Sequence, residues 1–258
     1  MNSFDWRTAP ADEVDHQYSP SRWSTKPISD HLADYAALSS PWVGRDTVTP
    51  GRPLLLYIHG GYWQALSAAD SLFNATDAAQ HGVSLHAVDY LLAPAASVEQ
   101  IVDECIADIE RVLSFARAPR VVVAGSSAGG HLAAVCSASP RLADRIDLAV
   151  MLSGVFDLRP LLRTPTNDAL GLTESRAGAL SPLLHPVDTF ATEAVVAVGE
   201  HESPEFVRQS QVFAAHLAAS GTPAAYAHVH GRDHFDLPYD VLHAGTVVGD
   251  HVLDCLIG

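Results

Sequence analysis

Residues 121–130 read Val-Val-Val-Ala-Gly-Ser-Ser-Ala-Gly-Gly, and this stretch decides the fold. Its first four residues are an apolar run typical of a buried strand, and the alanine-rich sequence that follows is typical of a helix. Between them stands Gly-x-Ser-x-Gly, which occurs once in the chain. The motif predicts a sharp strand–turn–helix in which Ser127 has a strained backbone, and a side chain at residue 125 or 129 would collide with the turn. Ser127 is therefore the candidate nucleophile, and we expect Ser126 to point into the structure.

Outward from this turn, apolar strand-like runs alternate with helix-length stretches from about residue 50 onward. The predicted strands are 54–58, 83–88, 121–124, 148–152, 194–198 and 225–229. The predicted helices span about 68–81, which Gly82 ends, and about 128–138, with others starting after the N-cap residues Ser97 and Ser203 and one closing the chain. This alternation predicts an α/β fold, with a mostly parallel central sheet and helices on both of its faces.

The length of 258 residues fits a single domain, and two stretches stand outside the alternation. Residues 1–50 are polar with scattered aromatic residues, so we expect them to wrap the surface of the domain. Residues 157–190 carry prolines and other turn formers between two predicted strands. We expect this insertion to form a small cap over a pocket.

Composition argues against several classes of partner. The formal net charge is −15 and Lys26 is the only lysine, so the surface repels nucleic acid and anionic membranes. No apolar run approaches the roughly 20 residues that span a bilayer. The first residues also lack the apolar core of a signal peptide. We therefore expect a cytoplasmic protein that binds a small molecule, and a homodimer stays open as an option.

The cysteines and histidines give no strong metal signal. The three cysteines are too few and too scattered for a disulfide framework or a zinc site, and we expect buried thiols at residues 105 and 136. The 14 histidines include no His-Glu-x-x-His motif. His228 and His230 alternate along a predicted strand with His234 beyond it, which is a weak pattern for metal binding. We therefore expect no metal.

A serine nucleophile needs a histidine base that a carboxylate holds in place. The fifth predicted strand is followed by Glu200 and Glu202, and either could be the acid. The sixth is followed by His230 and His234. Because His234 lies deeper in its loop, it has the better reach to a site above the sheet. We take His234 as the base, with His230 as its competitor.

A second glycine-rich loop, His59-Gly60-Gly61-Tyr62-Trp63, follows the first predicted strand. Glycines in such a loop let backbone N–H groups approach a substrate carbonyl oxygen. We expect the N–H groups of Gly61, Tyr62 and Ala128 to form an oxyanion hole, with Gly60 shaping the turn.

Three aromatic residues are candidates for the wall of a substrate pocket: Tyr62, Trp63 and Phe156. The first two follow the glycines directly, and Phe156 follows the strand after the elbow helix. Stacking on an aryl ring contributes about 0.5–1.5 kcal/mol beyond area burial. Large aromatic residues also fill cores, and the pattern leaves both roles open. With such a wall, the substrate would carry an aryl group and a small acyl group.

These residues resemble the arylformamidases, also called kynurenine formamidases, of the α/β-hydrolase superfamily. Residues 59–64 are similar to the family's His-Gly-Gly-x-Trp motif, residues 199–206 to its acid loop and residues 232–236 to its histidine loop. Residues 17–23 and 153–158 are also similar to the family. The resemblance therefore touches most of the chain.

The resemblance implies an α/β-hydrolase fold and hydrolysis of N-formyl-L-kynurenine to formate and L-kynurenine, without metal or cofactor. It also places the triad acid at Glu202, where the family usually has aspartate. Two alternatives stay open. One is a carboxylesterase acting on small aryl or acyl esters, because the same triad cleaves both bond types. The other is a non-catalytic α/β-hydrolase that binds a small ligand, against which the intact Ser127, Glu202 and His234 argue.

Overall fold

A computed structural model describes residues 4–258, and a six-stranded parallel sheet forms its centre. The strands are β1 (Leu54–Ile58), β2 (Ser84–Val88), β3 (Val121–Ser126), β4 (Leu148–Leu152), β5 (Glu193–His201) and β6 (Ala224–Asp233). Their order across the sheet is β2-β1-β3-β4-β5-β6, and every neighbouring pair is parallel. The predicted α/β fold is confirmed, and the carboxyl ends of all six strands share one edge of the sheet.

Nine α-helices occur in residues 4–258. They are α1 (Ala11–Gln17), α2 (Ile28–Ser39), α3 (Ala75–His81), α4 (Val98–Ala116), α5 (Ala128–Ser137), α6 (Asn167–Leu170), α7 (Glu174–Ala179), α8 (Pro204–Ala219) and α9 (Val247–Ile257). Short 3-10 turns cover Pro20–Arg22, Ser40–Trp42, Ala68–Ser71, Ala143–Arg145, Arg159–Arg163, Pro182–Leu184 and Leu237–Leu242. Within the described chain, no helix has the length and apolarity needed to cross a membrane.

The sheet separates two apolar core layers. Successive side chains of a strand point to opposite faces. Accordingly Leu54 and Leu56 of β1 pack in the layer that holds the apolar faces of α4, α5 and α8. Leu55 and Tyr57 pack in the other layer, with α3 and α9. The strands are buried on both faces, which is why they appear in the sequence as continuous apolar runs.

Capping residues set several helix ends as predicted. The Ser97 hydroxyl accepts a hydrogen bond from the Gln100 N–H, and the Gln100 side chain accepts one from the Ser97 N–H at 2.8 Å, so the capping box before α4 is confirmed. The Ser203 hydroxyl accepts from the Phe206 N–H at the start of α8. Gly82 has a φ of 69° and ends α3.

The largest differences from prediction are in the helix over 68–81 and at the ends of β5 and β6, where β5 continues to His201 instead of ending at 198. The helix predicted over 68–81 is divided into a 3-10 turn and α3. Between them the Asn74 side chain donates to the carbonyl of Pro238 at 3.1 Å, and the Leu72 N–H donates to the Ser39 hydroxyl. Strand β6 continues to Asp233 instead of ending at 229. A register shift at the end of β5 lets His201 pair with Asp233.

Candidate active site

The Gly-x-Ser-x-Gly turn has the predicted geometry. Ser127 joins β3 to α5 with φ 56° and ψ −120°, the strained backbone conformation typical of a nucleophile elbow. A Cβ on Gly125 would lie 2.1 Å from the Gly129 carbonyl oxygen, and a Cβ on Gly129 would lie 2.1 Å from the Ile58 oxygen. Both positions therefore exclude any side chain, which is the steric reason for the motif.

Glu202 and His234 form a buried pair at the carboxyl edge of the sheet. One carboxylate oxygen of Glu202 lies 2.7 Å from His234 Nδ1, and both side chains are almost fully buried. The other oxygen accepts the Gly199 N–H at 3.0 Å and the hydroxyl of Ser153. With Nδ1 donating to Glu202, the Nε2 atom of His234 is left as a proton acceptor.

Glu200 and His230, the competing acid and base, pair with each other on the surface. The Glu200 carboxylate lies 2.6 Å from His230 Nδ1 and accepts the Gly231 N–H at 2.8 Å. Its hydrogen bond from the Gly231 backbone keeps the pKa of Glu200 below its ordinary value. Neither residue lines the cavity that contains His234. The structure thus separates the two candidate pairs.

Ser127 and His234 both line one cavity of about 350 Å³, which is large enough for a small aromatic molecule. Their side chains make no direct hydrogen bond, a link that is often long before substrate binds. Six aromatic residues line the wall: Tyr18, Tyr35, Tyr57, Tyr62, Phe73 and Phe235. The cavity is therefore mainly aromatic, with the candidate nucleophile and base exposed to its interior.

The glycine-rich loop after β1 lines the cavity next to the elbow. A Cβ on Gly60 would lie 2.9 Å from the Ser126 carbonyl oxygen, so glycine permits the loop to approach the turn. Gly61 has a φ of 94°, and a Cβ there would lie 2.3 Å from the Ala65 oxygen. The backbone N–H groups of Gly61, Tyr62 and Ala128 donate no hydrogen bond within the described chain. Unpaired donors beside a serine at a helix N-terminus suit an oxyanion.

Two of the three predicted substrate-contacting aromatics lie in the core, so that expectation is wrong for Trp63 and Phe156. Trp63 is fully buried with its ring edge against His131, at 5.2 Å between centroids. Phe156 is also fully buried and stacks on Phe213 at 4.1 Å, because Gln209 accepts the Phe156 N–H and ties this loop to α8. Only Tyr62 lines the cavity.

The elbow neighbour Ser126 also differs from expectation. It lines the cavity beside Ser127 instead of pointing into the structure, and its hydroxyl accepts a hydrogen bond from Tyr57 at 3.0 Å. Ser153, whose hydroxyl donates to Glu202, lies outside the predicted site residues. The sequence does offer a sign of this contact, because Ser153 follows a predicted strand and begins residues 153–158, which are similar to the arylformamidase family.

The N-terminal segment contributes more to the cavity than the predicted cap does. Residues 18–35 supply one side of the wall, including Tyr18 and Tyr35, whereas the insertion 157–190 contributes Thr166. The Tyr62 hydroxyl donates to the Tyr18 carbonyl at 2.6 Å, which joins this segment to the glycine loop. The signal that could have found this role was the set of aromatic residues scattered in an otherwise polar segment.

Asp233 fastens the N-terminal segment to the histidine loop. One oxygen of its buried carboxylate accepts three hydrogen bonds at 2.8 Å, from the Ser24 hydroxyl and from the N–H and hydroxyl of Thr25. The other accepts the Phe235 N–H at 2.9 Å. Burial alone would raise the pKa of Asp233, but these hydrogen bonds hold it well below its usual range. The residue before His234 is thus a fixed anion.

The histidine pattern that gave a weak metal signal is not assembled as a metal site. Residues 4–258 contain no group of three or more histidine, cysteine, aspartate or glutamate residues arranged to hold an ion. The thiols of Cys105 and Cys136 are buried, as predicted, and burial raises the pKa of Cys136 to about 12. Both thiols are therefore kept in the protonated form.

Comparison with known proteins shows the family of the chain. Residues 55–236 match a family model of the alpha/beta hydrolase fold. The chain is 31% identical to kynurenine formamidase of Danio rerio over 269 residues, covering 90% of this chain and 92% of that protein. It is 29% identical to kynurenine formamidase of Drosophila melanogaster over 207 residues, covering 74% and 69% of the two chains.

Solved structures share the fold at low sequence identity. A candidate thioesterase from Silicibacter sp. TM1040 superposes with a TM-score of 0.80 at 22% identity, over 95% of this chain and 99% of that one. A thermostable carboxylesterase from a metagenomic library gives 0.71 at 18% identity, over 98% and 99%. On the family match, the curated relatives and the fold together, the chain is a hydrolase that belongs to the kynurenine formamidase family of the α/β-hydrolase superfamily.

Proposed function

We propose that this hydrolase cleaves the formamide bond of N-formyl-L-kynurenine, giving formate and L-kynurenine. The observation that carries the proposal is the Glu202–His234 pair beside Ser127 on one aromatic cavity. Curated relatives named kynurenine formamidase support the choice of bond. The substrate has an aryl ring, which suits a cavity with an aromatic wall.

Acylation uses the residues of the elbow and the histidine loop. The Ser127 hydroxyl oxygen attacks the formyl carbon while His234 Nε2 takes its proton, and Glu202 stabilises the imidazolium that forms. The carbonyl oxygen becomes an oxyanion that accepts hydrogen bonds from the N–H groups of Gly61, Tyr62 and Ala128. His234 then returns the proton to the leaving aryl amine as the C–N bond breaks, which leaves a formyl ester on Ser127.

Deacylation repeats the same chemistry with water. His234 takes a proton from a water molecule, whose oxygen attacks the formyl-enzyme ester. The tetrahedral intermediate collapses, His234 protonates Ser127, and formate leaves. The Ser127 proton leaves with the aryl amine, one water proton restores the Ser127 hydroxyl, and the second water proton leaves with formic acid, which ionises to formate. The cycle therefore balances with the residues of the site and water. The same steps would cleave an aryl ester of a small acid.

The test is a comparison of rates on N-formyl-L-kynurenine and p-nitrophenyl acetate, in the presence of EDTA, for the wild-type protein and two serine variants. We expect Ser127→Ala to lower kcat by roughly 10⁴–10⁶ while the fold survives, because the variant has no nucleophile. The matched variant Ser126→Ala keeps the Ser127 hydroxyl and should retain most of the activity.

Two results would contradict the proposal. If Ser126→Ala loses the activity and Ser127→Ala retains it, the nucleophile is assigned to the wrong serine. If the wild-type protein hydrolyses the ester at a good rate but leaves the formamide intact, the site is an esterase site and the proposed bond is wrong. A fluorophosphonate probe that labels the wild type but not Ser127→Ala would independently support a covalent intermediate on this residue.

A further inference from the structure

We propose that Ser153 is a positioning residue of this hydrolase, and that its hydroxyl holds the Glu202 carboxylate in the orientation that His234 needs. Ser153 donates a hydrogen bond to one oxygen of Glu202, while the other oxygen contacts Nδ1 of His234. The inference rests on the proposed mechanism, since it concerns the same carboxylate. It goes beyond that mechanism by adding a fourth side chain, which acts through the acid.

Ser153 lies between the strands that carry the nucleophile and the acid. It directly follows β4, which pairs with β3 on one side and with β5 on the other. Its own N–H donates to the Ala197 carbonyl of β5 at 2.8 Å, and the carbonyl of the preceding Leu152 accepts the N–H of Ser127 at 2.8 Å. Two consecutive residues at the end of β4 therefore contact the backbone of the nucleophile and the side chain of the acid.

The backbone of Ser153 is strained at the point where it makes this contact. Its φ is 49°, in the left-handed region that favours glycine, and the residue is 1% exposed. A glycine would adopt the same turn without the penalty of a Cβ, so the turn alone does not require serine. Non-glycine residues persist in such conformations where the surroundings hold them, and they cluster at functional sites. The hydrogen bond to Glu202 is the contact that glycine could not make.

The Glu202 carboxylate is buried, so both of its oxygens need donors. Its side chain is 1% exposed, and burying a charge without hydrogen bonds is costly. His234 Nδ1 lies 2.7 Å from one oxygen. The other oxygen accepts the Gly199 N–H at 3.0 Å and the Ser153 hydroxyl. Ser153 thus supplies a side-chain donor to the oxygen that the histidine does not contact.

The length of a glutamate side chain makes this second contact useful. Glutamate has one more rotatable bond than aspartate, so its carboxylate can take more positions relative to a fixed backbone. A triad acid must keep one oxygen directed at the histidine throughout the reaction. A donor that holds the other oxygen reduces the freedom of the carboxylate, and Ser153 is placed to do this.

The loop that carries Ser153 is fastened to the helix that follows Glu202. Residue Gln209 of α8 accepts the N–H groups of Phe156 and Asp157 with its side-chain oxygen, at 2.7 and 2.8 Å. Helix α8 begins just after the acid loop. The hydroxyl and the carboxylate are therefore held on one frame, which restricts changes in the distance between them.

Ser153 acts on the reaction through the acid and not through the substrate. It does not line the cavity, and its hydroxyl is hydrogen-bonded to Glu202. Acylation and deacylation both use His234, whereas binding of the substrate does not depend on its proton transfer. We therefore expect loss of the Ser153 hydroxyl to lower kcat and to leave KM nearly unchanged.

Two substitutions at Ser153 separate the hydroxyl from the turn. We expect Ser153→Ala and Ser153→Gly each to lower kcat on p-nitrophenyl acetate by about 10- to 100-fold, with KM within about twofold of wild type, as for loss of a hydrogen bond to a charged group. Because glycine relieves the positive φ, backbone strain cannot explain a loss in Ser153→Gly. The control is Ser210→Ala, since the buried Ser210 hydroxyl on α8 has no hydrogen-bond partner within residues 4–258. Its rates should match wild type.

A double-mutant cycle with Glu202→Gln tests whether Ser153 acts through the acid. In a protein that already carries Glu202→Gln, we expect Ser153→Ala to lower kcat by less than about twofold, because residues that act as one unit are not additive. Losses that multiply in the double variant would overturn the inference. Wild-type kcat in both Ser153 variants, or a change confined to KM, would also overturn it.

The single variant Glu202→Gln distinguishes a failure of this inference from a failure of the proposed function. If it keeps wild-type kcat, Glu202 is not the acid, and the mechanism and the inference fail together. If it loses activity and the loss in Ser153→Ala is independent of it, the inference alone fails. The ester is the substrate for these assays because its hydrolysis depends on the triad whether or not the protein also cleaves the formamide.

Discussion

At the scale of single residues, Glu202 carries the clearest mechanistic assignment. Its carboxylate contacts His234 on one side and Gly199 and Ser153 on the other, so its position is fixed from both sides. We expect Glu202→Gln to lower kcat by roughly 10²–10⁴, because an amide stabilises the imidazolium poorly and can favour the wrong tautomer. Steady-state kinetics on a formamide or ester substrate would measure the loss.

The matched control is Glu200→Gln, since this residue lies two positions earlier and contacts His230 and Gly231 on the surface. Its kcat should stay within about twofold of wild type, as for surface changes remote from the reacting groups. Equal losses in the two variants, or a larger loss in Glu200→Gln, would show that the acid has been assigned to the wrong glutamate.

Tyr90 is a positioning residue for the glycine-rich loop. Its hydroxyl donates to the His59 carbonyl at 2.9 Å and lies 3.2 Å from the Gly60 carbonyl. These carbonyls come just before Gly61 and Tyr62, two of the three proposed oxyanion donors. We expect Tyr90→Phe to lower kcat about tenfold with little change in KM, because a loosened loop weakens binding of the oxyanion more than binding of substrate. An exposed tyrosine on β6 offers the control, Tyr226→Phe. A rise in KM at constant kcat would contradict a role in the transition state.

At the scale of elements, the N-terminal segment and the histidine loop behave as one unit joined by Asp233. The segment donates through Ser24 and Thr25, and the Tyr35 hydroxyl donates to the Phe235 carbonyl at 2.6 Å. Asp233→Asn removes the charge that these donors stabilise. We expect it to cost about 1.5–3 kcal/mol of unfolding free energy and to lower kcat severalfold, because His234 is the next residue.

The same anchor has a defined pH dependence. Because the folded-state pKa of Asp233 is depressed, its stabilising contribution is fully present above its unfolded pKa of about 4 and is lost as the pH falls through the folded value. The free energy of unfolding in urea should differ less between pH 7 and pH 3.5 for Asp233→Asn than for the wild-type protein. The exposed Asp254→Asn on α9 is the control. If the variant loses as much stability between pH 7 and pH 3.5 as the wild type does, Asp233 is not the source of this pH dependence.

At the scale of the whole molecule, the buried His131 links stability to pH. Burial lowers its pKa to about 4, with Nε2 donating to the Leu180 carbonyl at 2.8 Å and Nδ1 buried without a partner. The unfolded chain takes up this proton near pH 6.5, so stability should fall as the pH drops from about 6.5 to 4, by at most about 1.4 kcal/mol per pH unit from this group. His131→Gln keeps an N–H donor and does not titrate. Its urea-derived stability should depend less steeply on pH in that window, and equal slopes would contradict the assignment.

Short-range patterns in the sequence determined the scaffold of this protein. Apolar runs predicted the strands, the residues Ser97, Ser203 and Gly82 predicted helix ends, and Gly125 and Gly129 predicted the elbow. These features depend on backbone sterics, capping and periodicity, and each of these involves residues close together in the sequence. The single Gly-x-Ser-x-Gly and the second glycine loop came together because parallel strands end at a common edge.

The tertiary structure alone decided which side chains share the cavity. The sequence placed Glu200 and Glu202 after one strand and His230 and His234 after another, and a register shift at the end of β5 selects which pair is buried. Trp63 and Phe156 fill the core, while residues 18–35 come from far along the chain to line the wall. No local pattern encodes the direction of side chains after an irregular strand end. Nor does it encode packing between segments some 200 residues apart, such as Tyr35 with Phe235 and Ser24 with Asp233.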